Sequence, residues 1–390
     1  MPKQYISTNS VKNAHKSDVL GLSITKNYTV TVSSDGYIKL WNLTNSERVA
    51  SQFVNKLGLH HLSVFEDIIN NIHYLIIAVV AFDGKCYFYE FETKFVELVS
   101  LNERLGFNNY AIDFLKDPLG KSNKFVSTES NGNCKIYDLL IEGKEQNDLG
   151  ISGINLQLQG TIEPKLKNFA TSVSLDSKGS NIAIGYQNGD VYLYDLEVLK
   201  PIYSFYGFGL KNDNNSTTVR SIKFSPTDRL LAVARDSGPY GTITLYDVKY
   251  GDTIGTFTAP THSANVSIGG YAHEGWCFSL DFNEDGSLLA SGGFDSKIRI
   301  WNVKNRQREA TLILTKSDFS ADVNEKIKEN EIEPNNEEYE DEMDDSVITS
   351  VKFIKSGLRI GEGDQNEGLC AVGFDRGIRW YREAGGISKT

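Results

Sequence analysis

Seven copies of one short phrase constrain this chain more than any other feature. Each begins with a tight turn, continues with alternating apolar and polar residues, and ends on an aromatic residue followed by a polar or charged one. The copies run from Asp35-Gly36 to Trp41-Asn42, Asp83-Gly84 to Tyr89-Glu90, Asn131-Gly132 to Tyr137-Asp138, Asn188-Gly189 to Tyr194-Asp195, Asp236 to Tyr246-Asp247, Asp295 to Trp301-Asn302, and Asp375 to Tyr381-Arg382. Six of the seven keep the same six-residue step from turn to aromatic. A repeat of this kind is one supersecondary unit that cannot bury its own faces, so neighbouring copies must stack.

Between the phrases lie further short strand signals bounded by turns. One set is Ser221-Ile222-Lys223-Phe224, Pro226-Thr227-Asp228 and Leu230-Leu231-Ala232-Val233-Ala234. The same order recurs in Phe278–Phe282, Glu284-Asp285-Gly286 and Leu288–Ser291. Two-residue alternation with Asp-Gly and Asn-Gly turns indicates antiparallel hairpins. Helix signals are nearly absent. About four strands per repeat make a propeller blade, and seven phrases predict an all-β, seven-bladed propeller spanning residues 1–390 as one domain. Only nine residues follow Tyr381, too few for a turn and a full outer strand. The segment Gln4-Tyr5-Ile6-Ser7-Thr8 has strand character and is expected to supply the missing strand of the last blade, removing an open edge.

Composition excludes several classes. No run of 18 apolar residues suggests a membrane helix, and the start, Met1–Ser7, lacks the apolar stretch of a secretory signal. Cys86, Cys134, Cys277 and Cys370 are far apart and form no CxxC pair, so they read as reduced thiols of an intracellular protein. The net charge of −11 is concentrated: Asp322–Asp345 holds twelve acidic residues and two lysines, leaving −1 for everything else. No basic stripe for nucleic acid appears. The acidic segment, within an insertion over 316–346 between blades six and seven, reads either as a solvated mobile loop or as a docking strip for a basic partner.

Catalytic signatures are lacking: no P-loop, GxSxG or HExxH is present, and Gly361-Glu362-Gly363-Asp364 reads as a loop. His60-His61 is the sole histidine pair, and neighbours on a strand should point apart, which is poor geometry for one metal. No cofactor or metal is expected, and a propeller enzyme is the disfavoured reading. A sharper signal sits just before each turn, where the residues are Ser34, Phe82, Ser130, Gln187, Arg235, Phe294 and Phe374. That position is expected on the narrow face, beside the channel. Three phenylalanines there, with Tyr110 and Trp276 at the start of inner strands on the same face, predict an apolar patch for protein binding. Asp18 and Glu274 lie close enough in sequence to receive a partner's arginine.

The phrases resemble the WD-repeat family, whose repeat carries Gly-His near its start and Trp-Asp at its end. The resemblance implies a buried hydrogen-bonded chain of His15, Thr31, Asp35 and Trp41, and another of His273, Ser291, Asp295 and Trp301. Repeat two would use His60 or His61 with Asp83, and the remaining blades, lacking the histidine, would be held by packing alone. The C-terminal run Asp375-Arg376-Gly377-Ile378-Arg379-Trp380-Tyr381-Arg382-Glu383-Ala384-Gly385-Gly386 is similar to the ending of the WD-repeat subunits of fungal superkiller (Ski) complexes. So are Lys56–His61, Leu158–Glu163, Thr217–Pro226 and Pro260–Ser263. Loop lengths and details of the aromatic patch depart from that family.

That resemblance implies a non-catalytic scaffold in the cytoplasm. Its partners would be a tetratricopeptide-repeat scaffold subunit and a DExH-box RNA helicase, which feed messenger RNA to the exosome for 3′-to-5′ decay and support antiviral defence. The partners would present a short peptide with a Gln-Arg pair and an apolar anchor. It also implies a nuclear role in meiotic recombination, through the topoisomerase-like protein that makes double-strand breaks. The competing reading is a substrate receptor of a ubiquitin ligase or a phosphopeptide reader, which would need a partner-recruiting domain or an arginine cluster on the narrow face.

Overall fold

The computed structural model describes residues 4–69, 71–117, 122–141, 153–207, 217–259, 270–315, 346–355 and 366–384. The acidic segment 316–345, the stretch 361–364 and Pro260–Ser263 lie outside them. Among the described residues the chain forms seven four-stranded antiparallel sheets. Six are consecutive in sequence. The seventh joins Tyr5–Val11 to Ile378–Glu383, Gly368–Gly373 and Ile348–Ile354, so the N-terminal strand closes the last blade as expected. The innermost strands are Val19–Ile24, Leu59–Ile69, Asn109–Leu115, Ala170–Leu175, Val219–Phe224, Cys277–Phe282 and Ile348–Ile354. Each touches the next, and Ile348–Ile354 returns to Val19–Ile24, which closes a seven-bladed propeller.

The recurring turn follows from side-chain chemistry. Asp35 Oδ1 accepts the amide of Tyr37 at 3.0 Å, and Asp83, Asn131, Asn188 and Asp375 each accept the amide two residues on. This local bond lets a carboxylate or carboxamide replace a backbone partner in the turn. The following residue must take a left-handed conformation. Gly36 does so at φ +83°, and a Cβ there would meet the Asn55 carbonyl oxygen at 2.0 Å.

Alternating strands leave each sheet apolar on both faces, and both faces are covered by neighbours. Seven apolar clusters straddle the seven blade junctions. The junction of blades five and six, for example, seats Ala232, Ile243 and Leu245 against Leu280, Leu289 and Trp301. The four cysteines are buried and free, and burial pushes each of the thiols of Cys86, Cys134 and Cys277 well up. Among the described residues one short helix, Val99–Leu105, departs from the all-strand pattern and buries Leu101 and Leu105. Its Arg104 donates to the Leu156 carbonyl of blade three at 2.7 Å.

The two polar chains form as the resemblance implied. In blade six, His273 Nδ1 lies 2.8 Å from Asp295 Oδ1, and Nε2 lies 2.7 Å from Ser291 Oγ. Trp301 Nε1 donates to the same oxygen at 2.8 Å. In blade one, His15 lies 3.1 Å from Asp35 Oδ2 and 2.8 Å from Thr31 Oγ1, and Trp41 Nε1 donates to Thr31 at 3.0 Å. In blade one these partners assign the proton of His15 to Nδ1, with the Thr31 hydroxyl donating to Nε2; in blade six Arg299 Nη1 also lies 2.7 Å from His273 Nδ1 and donates to Asp295 Oδ2 at 2.6 Å. Burial would raise the Asp35 carboxyl, but His15 and the amides of Lys16 and Tyr37 outweigh it and hold the group at about 2.

The other blades are not held by packing alone. Blade three links Ser127 Oγ to Asn109 Oδ1 at 2.9 Å, and blade five forks Arg220 onto Asp236. Blade seven pairs Arg379 with Asp375. Trp380 Nε1 crosses to Thr29 Oγ1 of blade one at 3.1 Å. Nor does either histidine of the pair bond Asp83, whose carboxylate instead takes Asn55 Nδ2 at 2.8 Å. These polar groups come from side chains other than histidine, so the histidine signature could not reveal them.

Candidate protein-docking site

Every inner strand carries a register irregularity near its start, seven in all. Pairing skips one residue in each: Leu20, His60, Thr171, Arg220, Phe278 and Thr349, and in blade three one position at Tyr110-Ala111. An extra residue in a ladder bends the strand and re-aims a side chain. Here the re-aimed side chains converge. Leu20, His60, Tyr110, Thr171, Arg220, Phe278 and Thr349 all line one cavity of about 470 Å³ at the mouth of the channel.

The bulge also explains the histidine pair. His60 and His61 do not point apart: their Nδ1 atoms are 2.5 Å from one another. The ring of His60 sits 4.9 Å from both Phe82 and Tyr110, and His61 sits 4.8 Å from Tyr110. Tyr110 continues to Phe169 at 4.5 Å. Burial lowers the imidazole of His60 to about 4, and burial with the neighbouring imidazole holds that of His61 well below its ordinary value. Both rings are therefore neutral near pH 7 and extend the apolar wall. No group of three potential metal-ligating side chains occurs among the described residues.

Three of the predicted rings stand out from the surface: Phe82 is 54% exposed, Phe294 50% and Phe374 38%. Tyr110 and Trp276 are half-buried. Phe82, Tyr110 and Phe374 share the cavity mouth. Trp276 contacts Phe294 at 6.1 Å and the Arg220 guanidinium at 4.7 Å, so the second pair adjoins the cavity through Arg220. Leu57 and Phe107 add exposed apolar surface: Gly58 O accepts the Phe82 amide, and Gly84 O accepts that of Asn109.

Arg235 does not belong to this surface. It is 5% exposed, and its guanidinium donates to Gly189 O, Tyr246 Oη and Phe205 O inside the blade junction. In blade five the hairpin is longer, so the residue aligned with Phe82 lies within a strand and turns inward. Asp18 is half-buried; burial raises its carboxyl while Arg376 opposes the rise. Glu274 is exposed and already pairs with Lys297 at 2.6 Å. The residues that pattern alone missed are His60, Arg220 and Phe278, which stand at bulges that carry no repeated sequence signature, and His61 and Phe169, which pack against Tyr110.

A closed ring of seven four-stranded sheets with two His–Ser/Thr–Trp chains defines a WD-repeat β-propeller. The WD domain G-beta repeat model matches residues 7–42 and 265–302, and the anaphase-promoting complex subunit 4 WD40 domain model matches 200–274. The chain is 37% identical over 407 aligned residues to antiviral protein SKI8 of Saccharomyces cerevisiae, covering 99% of this chain and 100% of that protein. It is 25% identical to meiotic recombination protein rec14 of Schizosaccharomyces pombe, over 65% of this chain and 74% of that one. It also resembles the small ribosomal subunit protein RACK1 of Schizosaccharomyces pombe, at 27% over 35% of the chain and 38% of that protein. The chain belongs to the WD-repeat family that includes SKI8.

Proposed function

We propose that this propeller is the WD-repeat subunit of a superkiller complex, and that it holds partner segments on the aromatic mouth without performing chemistry. The partners would be a tetratricopeptide-repeat scaffold and a DExH-box RNA helicase acting with the exosome in 3′-to-5′ messenger RNA decay. Work in the cytoplasm, and a second role in the nucleus during meiotic recombination, fit the relatives named for antiviral defence and meiotic recombination. The observation that carries the reading is the mouth itself: exposed Phe82 and Phe374 on a cavity that Tyr110, Phe169 and Phe278 also line, with exposed Phe294 beside it through Trp276 and Arg220. Large rings bury area at little entropic cost, which makes them interface anchors.

The match to the anaphase-promoting complex domain covers only 200–274 and supports the repeat rather than a ligase role. The test is affinity purification of the full chain followed by mass spectrometry, beside Phe82→Asp and Phe374→Asp variants. Recovery of a helicase and a tetratricopeptide subunit by the wild type, and their loss from the variants at unchanged melting temperature, is the expected result. Undiminished recovery by both variants rejects the mouth as the docking site.

A further inference from the structure

The mouth has a charge pattern that its rings do not account for. Arg220 is the one ionised side chain among the described residues that line it. Its Nε lies 3.1 and 3.0 Å from the Asp236 oxygens and its Nη2 2.7 Å from Oδ2. The Asp236 side chain is wholly buried, so this fork holds the guanidinium from beneath. Trp276, locked by its own bond to Gly238 O at 2.9 Å, covers the guanidinium at 4.7 Å, and Phe278 flanks it at 5.7 Å. Asp236 thus occupies the Nε and Nη2 edge. Among the described residues, Nη1 has no partner.

We propose that Arg220 is a specificity-determining residue of the mouth: its Nη1 edge takes the side-chain carboxylate of an Asp or Glu that lies beside the apolar anchor of a docked peptide. This rests on the docking reading above and adds to it which charge the cavity selects. Asp236 does not cancel the attraction. A carboxylate on Nη1 would sit one hydrogen-bond length from the cation and farther from Asp236, across the guanidinium, and Coulomb energy falls with distance. A bond to a guanidinium already held by a fork and a ring loses little side-chain freedom on docking. A lysine or arginine in the same place would meet a cation with no carboxylate on the cavity wall. The bound segment therefore places its anion, not its cation, at Arg220 in the cavity. An internal side chain suits the site better than a chain terminus. Terminal carboxylates are captured by nests of backbone amides, whereas this mouth offers one guanidinium and stays open past Phe82, Phe294 and Phe374.

The test selects random 15-residue peptides, displayed with both ends tethered, on the full chain. The selected set should share an apolar anchor with an Asp or Glu a few positions away. Changing that acid to its amide should weaken binding to the wild type about tenfold, equal to about 1.4 kcal/mol. On the double variant R220Q/D236N, which removes both charges of the fork, the same change should cost less than twofold; circular dichroism checks its fold. R220K, which keeps the charge but loses the fork, should fall between. Equal affinity of acid and amide peptides for the wild type overturns the role of Arg220, as does an acid preference that survives in the double variant. Peptides that bind only with a free C-terminus overturn the side-chain assignment. If Phe82→Asp leaves the selected peptides bound, the docking reading falls; if it releases them while acid and amide bind alike, only the Arg220 assignment falls. A selection that yields no binders rejects both.

Discussion

Replacing Ser291 by alanine removes one oxygen that joins two buried partners, and its cost can be worked from the structure. Ser291 has no exposed surface. Its hydroxyl accepts from Trp301 Nε1 at 2.8 Å and faces His273 Nε2 at 2.7 Å. Trp301 is fully buried and His273 1% exposed, so water cannot replace the lost partner. Each buried group left unsatisfied costs about 1–3 kcal/mol, so Ser291→Ala, which leaves two, should destabilise by about 2–6 kcal/mol. Almost none of this is lost apolar contact, since the Cβ remains. Thr31→Val repeats the experiment in blade one with the side-chain shape kept, because Thr31 Oγ1 plays the same part between His15 and Trp41. Urea unfolding at pH 7, followed by tryptophan fluorescence and far-ultraviolet circular dichroism, measures both. A double variant with Trp301→Phe should show a coupling of about 1 kcal/mol, because the two changes remove the same bond. Losses under about 0.5 kcal/mol in both blades would refute the reasoning, and would mean that packing alone holds the blades.

Acid should weaken the fold before the ordinary carboxylate range is reached. Burial holds His60 at about 4 and lowers His15, His61 and His273 as well. A histidine with a depressed folded value leaves stability intact above about pH 6.5 and lost as pH falls below it, because only the unfolded chain takes the proton. His60 alone accounts for up to about 2 kcal/mol between pH 7 and 5, so His60→Gln should shrink the difference between urea curves at those two pH values; an unchanged difference refutes the assignment. Asp35, depressed to about 2, adds a further loss of the same sign below about pH 4. Deleting residues 1–11 removes the strand that pairs with Ile378–Glu383 and exposes that edge. The truncated chain should lose monomeric solubility on size-exclusion chromatography, and a monomer as stable as the full chain would contradict the closure argument.

Much of the architecture was legible because it depends on local chemistry. The turn Asp or Asn accepts an amide two residues away, and Gly36 meets a backbone restriction at its own position. Both leave a fixed spacing in the chain. Phe82, Phe294 and Phe374 were legible for the same reason, since their positions just before tight turns put them on the surface, whereas the two histidine chains were legible through the resemblance to WD repeats. Arg235 misled because its hairpin runs on through Ser237 and Tyr240, so the aligned position is not a turn position. The pair His60-His61 misled because strict alternation was assumed where the ladder has a bulge.

The amino-acid sequence by itself determined the number of blades, their strand order, the N-terminal closure and three exposed rings that stand just before tight turns. Tertiary structure alone decided which side chains line the mouth, that His60 and His61 meet, and that Arg220 lies fixed between Asp236, Trp276 and Phe278. The reason is physical. A turn is written in adjacent residues, whereas a bulge is a mismatch between two strands, and its converging side chains come from all seven inner strands only once the ring has closed.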